Sequence, residues 1–384
     1  MRCWASSSLR WPGSPRTGGA DAAPPPPPAV PDVRTPEFWR EEAAGPWPRL
    51  LAPAGCLYAL AGRAERAWTR PVKAPVPVIC VGNLTAGGSG KTPVAIAVAK
   101  LLTAAGRTPH VLTRGYGGRV AGPLRIDAER HAAAEVGDEA LLLARVAPTW
   151  LAHDRVRGAQ AAAEAGADCV VLDDGFQDPR LRKDIALLVA DGGTGFGNGR
   201  VIPAGPLRED VAGGLARADA LIVVAPDRRG VGAMAARLRP ALPVLDARLE
   251  PTEDARRLSH HKVFAFCGIG IPEKFRTTLK DIGVEMTGFR AFADHYPYTM
   301  RDVAALHADA LAAGDAQLVT TAKDAIRLAP RDRIDIEVVE IEAVFTDAAA
   351  VARVLGVTPP SAAPAAPDRD GSGTGSPASR DAGP

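Results

Sequence analysis

Apolar residues in this chain gather into short uninterrupted runs, and between the runs they recur at helical spacing. That pattern belongs to strands buried on both faces of a parallel sheet and to the helices that cover them. Val76 to Val81 is the first run, and it leads through a glycine-rich turn into a helical pattern from Pro93 to Leu102. Pro109 to Thr113, Asp168 to Leu172, Ile185 to Ala190 and Leu221 to Val224 read as further strands, and Val231 to Leu238 as a helix. A second series starts near Lys262, with a strand from Val263 to Phe266, a helix from Pro272 and a strand-to-helix turn over Leu318 to Asp324. Strands and helices alternating in this way predict an α/β fold.

The glycine-rich turn refines that expectation. Gly87, Gly88 and Gly90 precede Lys91 and Thr92 at a strand-to-helix junction, where backbone N–H groups and a helix N-terminus can cradle phosphates. Lys91 can reach the β and γ phosphates of a nucleotide, and Thr92 can hold Mg²⁺. The pattern GxxxxGK[ST] fails only at its first position, which Thr85 occupies. The fold expected is therefore a P-loop NTPase-like parallel sheet domain over 73–258, followed by a smaller Rossmann-like αβ domain over 259–357. The site would lie in the cleft between them.

The flanks differ in character. Residues 1–35, with prolines at 24–28, and the Pro-, Ala-, Gly- and Ser-rich 358–384 read as disordered. Over 36–72, Trp39, Trp47, Leu50, Leu51, Leu57, Tyr58, Leu60 and Trp68 alternate with small residues, and Arg63, Arg66 and Arg70 share one helical face. The uncharged stretch Leu50 to Gly62 is too short for a bilayer, which needs about 20 residues. Either an interfacial helix or an amphipathic helix packed on its own domain fits.

Composition narrows the partners. Of 384 residues, 46 are Lys or Arg and 44 are Asp or Glu, a net charge of +2. No global electrostatic footprint for nucleic acid exists, so contact with any polyanion or membrane has to be local. Cys3, Cys56, Cys80, Cys169 and Cys267 form no CxxC pair, which favours reduced thiols in a cytosolic protein over a disulfide frame or a zinc site.

Other candidate chemistry sits at strand ends. The run ending in Leu172 delivers Asp173 and Asp174, the Walker-B arrangement that brings a carboxylate to the metal, although an aspartate can also cap the next helix. Arg114-Gly115-Tyr116-Gly117-Gly118 suits either a ligand-approaching loop or an ordinary turn. Asp138 and Glu139 open a helical pattern whose dipole alone would favour acids there. Asp294-His295 lies in a loop, where a histidine without a task is the ordinary reading.

In order along the chain, VGNLTAGGSGKTP (81–93), RGYGG (114–118), VGDEALLLA (136–144), LDDGFQ (172–177), FGNGRVIPAGPLRE (196–209) and Asp294-His295 resemble the tetraacyldisaccharide 4'-kinase family over about 36–357. That family phosphorylates the lipid A disaccharide precursor of Gram-negative bacteria, and its members also carry Ser or Thr where Thr85 stands. The resemblance implies ATP and Mg²⁺, with Thr85, Ala86, Gly87, Gly88, Ser89, Gly90, Lys91 and Thr92 around the phosphates and Lys91 in a catalytic role. It makes Asp138 the catalytic carboxylate working with His295, and it gathers Asp173, Asp174 and Glu209 with Thr92 around the metal and substrate. Arg114 and Arg208 become anion contacts to the substrate. The acceptor implied is an acylated glucosamine disaccharide lipid, phosphorylated on its 4'-hydroxyl. The protein implied is a monomer held peripherally at the cytoplasmic face of the inner membrane by its N-terminal helix. Two departures, Asp178 and Tyr296 where histidines are frequent, remove no group the mechanism needs. The rival readings are a P-loop kinase for a small soluble metabolite and a P-loop switch ATPase.

Overall fold

The computed structural model describes residues 36–39 and 45–358, so the expectations for 1–35 and 359–384 lie outside the described residues. Its first eight strands in chain order are β1 (Val78–Gly82), β2 (Pro109–Thr113), β3 (Leu124–Arg125), β4 (Thr149–Leu151), β5 (Cys169–Asp173), β6 (Ile185–Asp191), β7 (Ala220–Val224) and β8 (Val244–Pro251). Then come β9 (Lys262–Cys267), β10 (Glu285–Ala291), β11 (Gln317–Thr321), β12 (Ile336–Val339) and β13 (Ile341–Phe345). They form a nine-stranded sheet in the order β13-β8-β7-β6-β1-β5-β2-β4-β3 and a four-stranded sheet in the order β10-β9-β11-β12. The architecture is the α/β fold expected.

β1 lies between β5 and β6, parallel to both, and β2 and β7 continue the parallel pairing outward. The loops that leave these strands therefore emerge at one end of the sheet, where an open α/β sheet holds its ligands. Side-chain alternation gives each face its own core. Val78 and Cys80 face Leu172, Leu188, Ala159 and Ala162, while Ile79 and Val81 face Val94, Ala95, Val98 and Leu102 of the helix Lys91–Ala104. Fully burying a Val or Leu is worth about 1.5–3 kcal/mol, so the strand that carries the phosphate loop is clamped from both sides.

The small lobe ends earlier than the sequence predicts. β13 pairs antiparallel with β8, with Ile341 opposite Pro251, and Val351, Ala352 and Leu355 of the helix Ala348–Leu355 enter the large core. Residues 341–355 thus belong with the large sheet and not with the domain expected over 259–357. Their apolar face completes the surface that the helix Lys91–Ala104 leaves uncovered.

The helix Trp47–Trp68 lies on the large lobe. At Gly55 a Cβ would stand 2.9 Å from the carbonyl of Val201, so the backbones meet closely there. Arg63 donates to Asp210 at 2.8 Å, and Arg66 lies 3.6 Å from Glu209. The arginine side is therefore turned inward by these carboxylates, and Trp47, Leu50, Leu57 and Trp68 are left on the outward side, 58 to 85% exposed. Among the described residues no helix is long and apolar enough to cross a membrane.

Candidate active site

Between β1 and the helix Lys91–Ala104 the chain turns on Gly87 (φ +119°) and Gly90 (φ +81°), conformations that strain any side chain. A Cβ at Gly87 or Gly88 would meet nothing within 4 Å. Packing does not explain these glycines; the close approach of an anion to bare backbone does. Asn83 braces the loop from within, donating to the carbonyl of Thr85 at 2.7 Å and to Ser89 Oγ at 2.8 Å. From outside, Ala86 N–H donates to the Pro206 carbonyl and Arg208 N–H to that of Leu84, both at 2.7 Å, which lays the segment 206–208 along the loop.

Asp173 ends β5, beside Val81 of β1, and is 1% exposed. Neither of its carboxylate oxygens has a hydrogen-bond partner. Burial, reinforced by the Glu139 charge and only partly offset by Lys91, pushes its pKa up to about 7. A buried, unpartnered carboxylate next to the Thr92 hydroxyl's loop is the donor set a hard divalent cation takes, and Mg²⁺ needs only one or two protein ligands when phosphates supply others. These residues fit that ion.

Asp174 is held differently. Its backbone is left-handed (φ +54°), and its Oδ1 accepts from Arg208 at 2.9 Å and stands 3.6 Å from Lys91 Nζ. Burial opposes its charge, but Lys91 and Arg208 outweigh burial and hold its pKa below the usual carboxylate value. The Asp174 carbonyl accepts from Arg155 at 2.9 Å, and that buried guanidinium also pairs with Asp178 at 2.8 Å. Glu209, expected near the metal and substrate, has its own partners. Arg217 and Arg66 pair with its Oε2 and Gln177 donates to Oε1 at 3.2 Å, so in the ligand-free chain this carboxylate is neutralised by arginines. Among the described residues no group of three or more His, Cys, Asp or Glu forms a metal cluster.

The second lobe contributes His295. Its Nδ1 lies 2.9 Å from Asp138 Oδ2, although the two are 157 positions apart in the chain. Asp138 opens the helix Asp138–Ala144 directly after Gly137, whose φ is +88°. A Cβ at Gly137 would stand 2.4 Å from the Tyr116 carbonyl, so this turn is pressed against the Arg114–Gly118 loop. Burial disfavours the Asp138 charge, but hydrogen bonds from His295 and Arg327 overcome it and keep its pKa below the usual value. The hydrogen bond to Asp138 raises His295 above 6.5 against the effect of burial, with Asp294 adding to the rise and Arg327 opposing it. With Asp138 charged, Nδ1 carries the hydrogen and Nε2 is the open acceptor. His295 also holds a left-handed backbone, φ +58°, an uncommon conformation for a non-glycine residue.

A cleft of about 540 Å³ opens beside these groups. Asp173, Asp174, Glu139, Arg114, Tyr116 and Arg208 line one part, and Tyr58 and Glu65 of the helix Trp47–Trp68 line another. The tilted rings of Tyr116 and His295, with centroids 6.4 Å apart, connect it to the Asp138 pair. Sequence reasoning did not single out Arg155, Gln177, Lys323 or Arg327. Gln177 closes the LDDGFQ motif without a role of its own, and Lys323 and Arg327 appear as two cations four residues apart in a short helical pattern.

The sequence profile of the tetraacyldisaccharide-1-P 4'-kinase family matches residues 47–358. The chain is 53% identical over 324 residues to the tetraacyldisaccharide 4'-kinase of Gluconacetobacter diazotrophicus, a match covering 84% of this chain and 97% of the relative. To that of Paramagnetospirillum magneticum it is 50% identical over 309 residues, covering 80% and 94%. Among solved structures it is similar to LpxK from Aquifex aeolicus in complex with ATP, with a TM-score of 0.64 and 25% identity over 80% of this chain and 98% of that one.

Proposed function

The chain belongs to the tetraacyldisaccharide 4'-kinase family, which carries out ATP-dependent phosphorylation of the lipid A disaccharide, and on that premise we propose how its residues divide the work. The phosphate loop Thr85–Thr92 binds the ATP phosphates, with Lys91 on the β and γ groups. Asp173 and Thr92 would hold Mg²⁺, which when bound supplies neutralisation of the phosphate charge. Arg208 and Arg114 face the anionic parts of the reactants. The sugar 4'-oxygen then bonds to the γ-phosphorus while the bond from that phosphorus to the β,γ-bridging oxygen breaks, its electron pair leaving with ADP. The hydroxyl proton passes to the Asp138–His295 pair and rests on the imidazole, whose pKa is raised while that of Asp138 is lowered.

The observation that carries this reading is the single cleft lined both by the carboxylates beside the phosphate loop and by the helix Trp47–Trp68. A lipid-borne sugar reaching in past Tyr58 and Glu65 meets the nucleotide end without leaving the surface its acyl chains occupy. The outward row of Trp47, Leu50, Leu57 and Trp68 supports docking of this helix on the cytoplasmic face of the inner membrane. Neither rival, a soluble-metabolite kinase or a switch ATPase, accounts for that row.

The test is an assay of the purified chain with labelled ATP, Mg²⁺ and tetraacyldisaccharide 1-phosphate in mixed micelles, followed by identification of the labelled hydroxyl. Label on the 4' position, little hydrolysis without acceptor, and a loss of about 10² to 10⁴ in turnover for Asp138→Ala are expected. Rapid hydrolysis independent of the disaccharide would overturn the reading.

A further inference from the structure

The helix Ala322–Arg327 follows β11 in the small lobe and reaches across to the large one. Lys323 and Arg327, one turn apart, meet Glu139 and Asp138, the two acids that open the helix Asp138–Ala144. Lys323 Nζ donates to Glu139 at 2.8 Å in a partly exposed pair. Arg327 is different: its side chain is 5% exposed and every arm of its guanidinium is engaged.

Nε donates to Asp138 Oδ2 at 2.7 Å. One terminal nitrogen donates to the Gly268 carbonyl at 2.8 Å and to Asp324 Oδ1 at 3.0 Å, and the other pairs with Asp138 Oδ2 at 2.5 Å and lies 3.3 Å from His295 Nδ1. Asp324 is itself fully buried, accepting from Gly268 N–H and Tyr298 Oη, each at 2.9 Å, and from Thr321 Oγ1 at 2.6 Å. The Gly268 carbonyl that anchors Arg327 also accepts from the backbone N–H of His295 at 3.2 Å. Arg327 and His295 are thus fastened to one point of the small lobe and meet Asp138 together. A planar fork fixed at two ends has little freedom at the third.

We propose that Arg327 is a positioning residue for the phosphoryl transfer, holding Asp138 against His295 and, through its charge, opposing the settling of a proton on that pair before the acceptor arrives. This rests on Asp138 and His295 being the proton acceptors. The charged and titratable groups facing His295 are Asp138 from the helix Asp138–Ala144, Arg327 from the helix Ala322–Arg327, Asp294 beside it at 3.9 Å, and Tyr116 across the cleft. Of these, only Arg327 opposes a proton on the imidazole by its charge. Removing it also deprives Asp138 of a guanidinium partner, so both changes let the pair take up a proton at higher pH.

The experiment measures kcat and KM against pH for the full chain, with ATP and tetraacyldisaccharide 1-phosphate, in wild type, Arg327→Gln and Arg327→Lys. For Arg327→Gln the plateau kcat should fall about tenfold to a hundredfold. KM for ATP should stay within about twofold, since the residue does not touch the phosphate loop, and the acid limb of kcat/KM should move about one pH unit upward. Arg327→Lys, which keeps a cation but loses the fork, should lose kcat with the limb near its wild-type position. A limb unmoved in Arg327→Gln overturns the proposal, because a purely structural ion pair would lower kcat without shifting the titration. If Arg327→Gln does not fold, Arg327→Lys decides: kcat within about twofold of wild type overturns the proposal, and a loss of about tenfold or more upholds it. Asp138→Asn and His295→Ala, assayed alongside, keep the two ideas apart. Wild-type turnover in those variants sinks the proton-acceptor assignment itself, whatever Arg327 does.

Discussion

Asp173 and Asp174 are neighbours in the chain with opposite electrostatic fates, and the difference separates their roles. Asp174 faces Lys91 and Arg208 and is content to be charged. Asp173, buried with no hydrogen-bond donor, has its pKa raised from 3.8 to about 7. The folded chain therefore binds a proton that the unfolded chain has released, and the stability of the ligand-free protein falls as pH climbs between those two values. Asp173→Asn should accordingly melt at a higher temperature than wild type near pH 8, with the gain vanishing near pH 4, while Mg²⁺-dependent ATP binding weakens. Thermal melts across pH without nucleotide check this, and an unchanged melting temperature near pH 8 would refute it. Lys91, Thr92 and both aspartates were legible in the sequence because each belongs to a local strand-to-helix motif. Arg155 and Arg327 were not, since their partners Asp174 and Asp138 lie 19 and 189 positions away and only the folded sheet order joins them. The arginine partners of Glu209 were hidden for the same reason, as Arg66 and Arg217 reach it from elements the motif does not contain.

At the level of elements, the loops at one end of the large sheet position the site by close backbone contact more than by side chains. Gly137 shows the demand most sharply, combining φ +88° with a Cβ path blocked at 2.4 Å by the Tyr116 carbonyl. Gly137→Ala should cost about 1–3 kcal/mol from the backbone strain alone and, by displacing Asp138, lower kcat further. Gly106→Ala is the natural comparison, because its φ is +79° but nothing lies within 4 Å of the added carbon. A melting temperature and kcat for Gly137→Ala no worse than for Gly106→Ala would contradict the account. Central strands were readable as apolar runs because both their faces are covered. β8, with Asp246, Arg248 and Glu250 set among its apolar residues, and β13, with its own exposed positions, lie toward or at one edge of the sheet. Their patterns do not stand out from loops. Missing them moved the boundary of the small lobe.

For the whole molecule, surface chemistry has to bring a membrane-bound acceptor to a nucleotide site, and a net charge of +2 gives little long-range attraction. The apolar side of the helix Trp47–Trp68 is the surface available for that. Leu50→Asp with Leu57→Asp alters positions 68 and 69% exposed, so thermal stability should change by less than about 1 kcal/mol. Sedimentation with vesicles of bacterial phospholipid should fall several-fold, and KM for the acceptor presented in vesicles should rise while KM for ATP holds. Co-sedimentation equal to wild type would remove this helix from the docking surface.

The pairing of Ile341 with Pro251 has a further mechanical meaning. The chain departs for the small lobe and comes back at two residues that face each other, so the lobe hangs from the large sheet by two strands side by side, as a door hangs from its jamb. Such a mounting permits swinging about one line and resists sliding or twisting. A swing about that line would carry His295 and Arg327 together and leave Lys91 and Asp173 where they are. Opening would therefore switch off proton removal before it loosens the nucleotide, and ATP left waiting without an acceptor would be spared from water.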